Sequence, residues 1–228
     1  EEALRLHDKG IAAEVVFPNT VPPFFPSFVL FAKPPTDEEY RHRHAGVTAH
    51  NRWLVDWCNE YPERRAGVGQ IFLNDVDDAI ADVRWIKENG LRGGILLPNI
   101  APDVKWVKPL YDRCYDPLWQ VLQDLEVPIN IHSGSGNPDY GPYPVSMLLY
   151  INEVPFYTER PLVQLILSGV FERFPRLKVV LTEAGCAWVP PLLERLYTNI
   201  RSIRDTGATG EIRYGADHIL PKDATEYF

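Results

Sequence analysis

The sequence predicts an α/β protein made of successive βα units, either an arc of a (β/α)8 TIM-like barrel or a five-stranded doubly wound sheet. Three observations predict it. Short, near-continuous apolar runs of strand length alternate with longer runs of helical period. The apolar runs lack the strict in-out alternation of a half-exposed strand, so both faces are expected to be buried, as in parallel sheets. No repeat, low-complexity tract or linker divides the 228 residues, which therefore read as a single domain, 1–228.

In chain order, Glu1 to Lys9 reads as the tail of a helix whose strand would precede it. The first strand run is Ile11 to Pro18. A proline-rich connection, Asn19 to Thr36, follows, and then a charged helix-like stretch holding His42, His44 and His50, all expected to be solvated. The second strand run is Ala66 to Leu73. The clearest helix opens with Asp75 as N-cap, carries Val76, Ile80, Val83 and Ile86 on one stripe, and closes at Gly90. Leu91 to Pro98 is the third strand, and Tyr111 to Glu126 is helical. Val127 to His132 is the fourth, followed by a long aromatic connection, Ser133 to Phe156, of the kind that builds a pocket wall. Glu159 to Phe174 is helical, Leu177 to Glu183 is the fifth strand, and Leu192, Leu196, Ile200 and Ile203 share one helix face.

Strand arithmetic bears on the architecture. A complete barrel takes about 250 residues and eight strands, and five strands are found, so the expectation is the middle of a barrel. The doubly wound alternative needs a Gly-rich phosphate turn between strand and helix. Gly67 and Gly69 lie inside a strand run instead, and Pro138 and Pro142 argue against a helix N-terminus after Gly134 and Gly136.

Composition narrows the partners. Apolar residues make up 45% and charged residues 24%, the balance of an ordinary folded domain. Lys and Arg number 23 against 31 Asp and Glu, a net charge of −8, with no basic cluster to follow a phosphate backbone, so nucleic acid is not an expected partner. No apolar stretch reaches the roughly 20 residues of a membrane span and nothing reads as a signal peptide, so no membrane association and a cytoplasmic location are expected. Cys58, Cys114 and Cys186 are odd in number and widely spaced, which indicates neither a disulfide framework nor a zinc knuckle.

Two residues stand out chemically. His132 ends a strand in which Val127, Ile129 and Ile131 share one face, while Asn130 and His132 share the other. In a barrel that second face is the interior, and an imidazole at the C-terminal mouth sits where ligands and catalysts gather. Glu183 ends the next strand in the same way, where a half-buried carboxylate could carry a proton or hold a metal. A salt bridge to Arg173 or Arg195 is the structural alternative for Glu183, and a satisfied core histidine the alternative for His132. Glu14, inside the first strand run, would snorkel out or pair with Lys9. His218 follows a Gly-rich loop. A Ser-His-Asp arrangement fails for want of a GxSxG elbow, and Cys186 has no histidine placed to activate it.

Several segments together carry a resemblance: AHNRWLVDWCNEYPERRAGVGQIFLNDVDDAI, LRGGILLPNI, the IHSG of Ile131 to Gly134, LILSGVFERFPRLKVVLTEAG, and the terminal LPKDATEYF. The chain resembles the amidohydrolase-2 family, metal-dependent barrel hydrolases and decarboxylases of the aminocarboxymuconate semialdehyde decarboxylase type. The resemblance implies a distorted (β/α)8 barrel seen here from strand two to strand six. The strand-one HxH or ExH pair would precede residue 1, and the strand-eight aspartate would follow residue 228. It implies that His132 is a metal ligand and catalytic residue. Glu183 stands where many relatives have histidine, as a proton carrier or ligand. The cofactor implied is one divalent ion, zinc first and manganese as the alternative, acting on a small-molecule substrate, with a homodimer as a possible assembly.

Three functions follow as expectations. The first is a metal-dependent hydrolase of a small cyclic or carboxylated compound, with metal-dependent nonoxidative decarboxylation of an aromatic or muconate-like acid as its alternative. The second is a non-catalytic binding protein made from a barrel fragment. The third is a carboxylate-pair enzyme using Glu183 with Glu14 or Asp139, whose activity would survive chelation.

Overall fold

The computed structural model describes residues 10–18, 32–206 and 220–228. Five strands, β1 (Glu14–Val16), β2 (Arg65–Gln70), β3 (Gly94–Leu96), β4 (Ile129–His132) and β5 (Val179–Thr182), are all parallel and lie in the order β1-β2-β3-β4-β5. Each new strand is added on the same side of the last. A doubly wound sheet would reverse direction at a switch point, so the sequential order makes this an arc of a barrel. Its curvature is visible in one contact. Phe17, just past β1, meets His132 at the end of β4 with ring centroids 5.2 Å apart, whereas strands three places apart in a flat sheet would be separated by roughly 14 Å.

All five expected strands exist, each shorter than its apolar run. Ile71, Leu73, Leu91 and Val127 lie outside the strands yet are buried. Hydrophobicity marks what the core covers, and the barrel core continues past the strands into the turns. The faces of β4 alternate as expected, although Asn130 is buried like its neighbours: Ile129 and Ile131 join the cluster under the helices, while Asn130 donates to the carbonyls of Gly93 and Ile95 at 2.8 and 3.1 Å.

The crossover helices begin at α1 (Asp37–Asn59) and α2 (Val76–Glu88). The Asp75 side chain accepts from the backbone N–H groups of Asp77 and Asp78 at 2.9 and 3.0 Å, the cap its position predicts. Between Tyr111 and Glu126 a 3-10 turn (Arg113–Tyr115) precedes α3 (Asp116–Asp124), with Pro117 in the first turn, where a missing N–H costs nothing. Leu118, Trp119 and Leu122 of α3 pack with Val83 and Ile86 of α2 against Ile95, Ile129 and Ile131. Backbone room is as restrictive as side-chain fit. A Cβ at Gly94, whose φ is +87°, would stand 2.1 Å from the carbonyl oxygen of Pro128.

The largest departure from expectation follows β4. The aromatic connection stops at Val145, and α4 (Ser146–Leu167) then runs through Pro155 and Pro161. Each proline removes one helical hydrogen bond. The bond lost at Pro155 would have used the carbonyl of Ile151 on the exposed side of the helix, where water can replace it. The bond lost at Pro161 would have used the carbonyl of Tyr157, and that carbonyl instead accepts from Asn99 Nδ2 at 3.2 Å. Gly169, at φ +71°, then separates α4 from the short α5 (Val170–Arg173). Leu192, Leu196 and Ile200 on α6 (Val189–Thr206) close a second apolar cluster with Leu162, Ile166 and Leu220. No helix among the described residues is long and apolar enough to cross a membrane.

Candidate functional site

His132 is the last residue of β4, and its side chain is 13% exposed at the mouth of the arc. Its Nδ1 lies 2.9 Å from the carbonyl oxygen of Ser133. A carbonyl only accepts, so Nδ1 carries the hydrogen and the lone pair of the neutral ring is on Nε2. That is the arrangement in which a histidine binds a metal through one nitrogen while the other is held by an oxygen. The Phe17 ring steadies the imidazole by an edge contact at 66°. Nε2 faces Glu183, whose Oε2 is 3.9 Å away.

Glu183 follows β5 directly. Its side chain is 69% exposed, so the half-buried place expected for it is corrected: the carboxylate lies at the rim, beside the Nε2 of His132. Neither expected arginine partner holds it. Arg173 binds Asp116 at 2.9 Å, while the Oε2 of Glu183 accepts from Ser133 Oγ at 3.5 Å. The backbone of Glu183 has φ +58°, a left-handed conformation unusual for a residue with a Cβ. Glu183 and Ser133 are brought together because the two strands run in register, Ser133 N–H donating to the carbonyl of Thr182 at 3.0 Å.

Beside this pair lies a cleft of about 370 Å³, a volume suited to a small molecule. The loop after β4, the loop after β3 and the start of α4 form its walls, including Gly134, Asn99, Tyr140 and Tyr150. His132 is not among the lining residues; the connection to it is two residues of chain. The Tyr150 hydroxyl donates to the carbonyl of Gly134 at 2.8 Å, and burial pushes its pKa up to about 12, so it remains a donor. Asn99 Nδ2 donates to the carbonyl of Ser135 at 3.1 Å as well as to that of Tyr157. Tyr140 donates to Glu153 at 2.6 Å. At the outer rim Lys33 bonds Asp103 at 2.5 Å. Burial alone would raise that carboxyl, yet the lysine and the Asp139 N–H hold it below its usual value.

Other sequence candidates fall elsewhere. Glu14 pairs with the buried Arg65 at 3.7 Å at the N-terminal end of β1, well below the mouth. Asp139 occupies its Oδ1 with the Gly141 N–H at 2.8 Å. Neither approaches the arrangement of an acid and base around Glu183. The expected solvation of the α1 histidines is corrected for two of three. His44 binds Asp82 at 2.8 Å and stacks on Tyr40, and burial lowers the His50 pKa beside Gln70, whereas His42 is exposed. His218 and Lys9 lie outside the described residues. Sequence reading passed over Asn99 and Phe17, while Tyr150 belongs to the aromatic connection expected to wall a pocket. Both carry a signal, since Phe17 lies near the end of the first strand run and Asn99 directly follows the third, as His132 ends the fourth.

Among the described residues, no three His, Cys, Asp or Glu side chains converge to hold a metal ion. His132 fits one position of a coordination sphere, with Glu183 next to it, and a catalytic metal takes about three protein ligands.

Comparison with known proteins gives the family and the fold. A family model described as Amidohydrolase matches residues 4–217. A gamma-resorcylate decarboxylase from Polaromonas sp. is 29% identical over 141 residues, 59% of this chain and 43% of that protein. Decarboxylase orsB from Emericella nidulans is 30% identical over 145 residues, 59% of this chain and 42% of that protein. The aligned stretch is thus less than half the length of either curated relative. Among solved structures, 5-carboxyvanillate decarboxylase from Novosphingobium aromaticivorans, crystallised with manganese and 4-hydroxy-3-methoxy-5-nitrobenzoic acid, superposes with a TM-score of 0.75. It is 19% identical, and the match covers 100% of this chain and 59% of that one. At that identity the likeness shows the fold, an incomplete TIM barrel of amidohydrolase type.

Proposed function

Because the chain belongs to the amidohydrolase family, we propose that it supplies the β4–β5 side of the active site of a metal-dependent nonoxidative decarboxylase acting on a small hydroxylated aromatic acid. One observation carries the proposal: the His132 ring, oriented by the Ser133 carbonyl, presents Nε2 to a carboxylate 3.9 Å away at the mouths of adjacent strands. The curated relatives support decarboxylation over hydrolysis, which was the first expectation, since both are decarboxylases. Manganese, present in the solved relative, is the ion to test before zinc.

A divalent ion at this mouth would act as a Lewis acid toward the carboxylate and a neighbouring hydroxyl of the substrate. His132 would be its ligand through Nε2. Decarboxylation breaks the bond between ring carbon and carboxyl, carbon dioxide leaves, and the electron pair left on the ring takes a proton. Glu183, at the rim beside the His132 ring, is the group placed to hold and move that proton. The ring would enter through the aromatic cleft, whose Tyr150 and Asn99 keep the loop after His132 in place.

The test uses the protein at its natural length, loaded with manganese and offered 2,6-dihydroxybenzoate and 5-carboxyvanillate, with carbon dioxide release as the readout. Release that stops on chelation is expected. Hydrolysis of esters or lactones without carbon dioxide from either acid would return the reading to a hydrolase. His132→Ala should lower metal content by elemental analysis; unchanged content would remove the ligand role.

A further inference from the structure

Helix α6 starts without the means of holding the loop in front of it. The first N–H groups of a helix have no acceptor within it and are left to bind the chain that leads in. In α6 two of the first three residues are Pro190 and Pro191, which bring no N–H. The N–H of Val189 is spent on the carbonyl of Cys186 at 3.1 Å, and that of Leu192 on the carbonyl of Trp188 at 3.0 Å. Among the described residues, no backbone N–H reaches the carbonyls of Ala184 or Gly185.

A side chain supplies what the helix lacks. The indole Nε1 of Trp188 donates to both carbonyls, at 2.9 Å to Ala184 and 3.1 Å to Gly185, a shared hydrogen bond of the kind common at helix ends. Its rings pack against the second apolar cluster, to which Leu192 and Leu196 belong, so the donor is fixed from behind.

Those carbonyls belong to the stretch that sets the direction of Glu183. Glu183 has φ +58° and Gly185 φ +62°. Glycine takes that conformation at no steric cost, whereas a glutamate must be held in it. A return to an ordinary negative φ would turn the N–Cα bond of Glu183 by about 120° or more and carry the side chain away from the mouth. The carboxylate's own contacts are too long to impose the conformation: Ser133 Oγ is 3.5 Å away and His132 Nε2 3.9 Å away.

We propose that Trp188 is a positioning residue for Glu183: its indole N–H, by gripping the two carbonyls that follow, holds the glutamate in the left-handed conformation that sets its carboxylate beside the Nε2 of His132. The inference rests on the reading of Glu183 as the proton carrier and deepens it. Without the grip the carboxylate would occupy its place for a fraction of the time, and proton delivery to the substrate ring would fall with that fraction.

The experiment replaces Trp188 by benzothienylalanine, which keeps the bicyclic shape and puts sulfur where the N–H was, with Trp188→Phe as the second variant, in the manganese-loaded protein at its natural length. For carbon dioxide release, kcat is expected to fall roughly ten- to a hundredfold, the cost of misplacing a reacting group by up to about 1 Å. KM and manganese content should stay within about twofold of the parent, because binding is untouched. In a Glu183→Gln background the same replacements should cost nothing further, since residues that act through one another are not additive. A crystal structure of the benzothienyl variant gives a readout that needs no activity: φ at Glu183 turns negative and the carboxylate leaves the Nε2 of His132. Parental kcat with only a lowered Tm, an equal loss in both backgrounds, or a carboxylate still in place at positive φ overturns the proposal. A parent that releases no carbon dioxide from either acid removes the decarboxylase reading alone, and the structure of the variant then decides the positioning.

Discussion

Replacing Glu183 by Asn separates what its backbone costs from what its carboxylate does. The residue sits at φ +58°, where a side chain bearing a Cβ is strained by roughly 1–2 kcal/mol, and Asn is among the few residues that tolerate this region. The carboxylate returns little stability. Its nearest partners are 3.5 and 3.9 Å away and its side chain is 69% exposed, so after solvent screening the pair contributes about 0–0.5 kcal/mol. Glu183→Asn is therefore expected to gain about 0.5–1 kcal/mol, a rise of about 1–4 °C in Tm for a chain of this size. Glu183→Gln keeps the strain and loses the charge, so its Tm should stay near the parent value. Both variants should lose carbon dioxide release by at least about a hundredfold, the smaller end of what a positioned proton carrier provides. Calorimetry and the decarboxylation assay on the same preparations decide the matter. An Asn variant no more stable than the Gln variant would refute the strain argument, and near-parental turnover in either would refute the catalytic one.

Three further expectations follow from the geometry. Gly94→Ala would bring a Cβ to within 2.1 Å of the Pro128 carbonyl at a left-handed φ; β3 and the β4 approach cannot both stay, and a loss above about 3 kcal/mol in a urea titration is expected. Asn99→Ala strips donors from the carbonyls of Ser135 and Tyr157, costing about 1–3 kcal/mol and speeding hydrogen exchange at residues 133–137, whereas unchanged exchange would deny its hold on the loop. Burial lowers the His50 pKa, so the folded state binds fewer protons than the unfolded chain. Its contribution is complete above about 6.5, the unfolded value, and is lost as pH falls through the lower folded value. Between pH 7 and pH 5 the parent Tm should fall more steeply than that of His50→Gln.

Periodicity and chain direction are local properties, and they made the five parallel strands, the Asp75 cap and the faces of β4 legible in the sequence. The position of His132, last in an apolar strand and followed by small residues, also marked it as a mouth residue before any contact was known. The first half of helix α4, before Glu159, was not legible, because proline is a local breaker and its tolerance here depends on the surroundings: the carbonyl of Ile151 lies on the exposed side, and Asn99, 58 residues from Tyr157, binds the other. The pairing of His132 with Glu183 depended on β4 and β5 lying in register, and its contact with Phe17 on the curl of the whole arc. The exposure of Glu183 was likewise decided by packing. A sequence states which face of an element is apolar. Which neighbour that face meets, or whether it meets one at all, is settled when distant segments close on each other and each polar group must find a partner or remain in water.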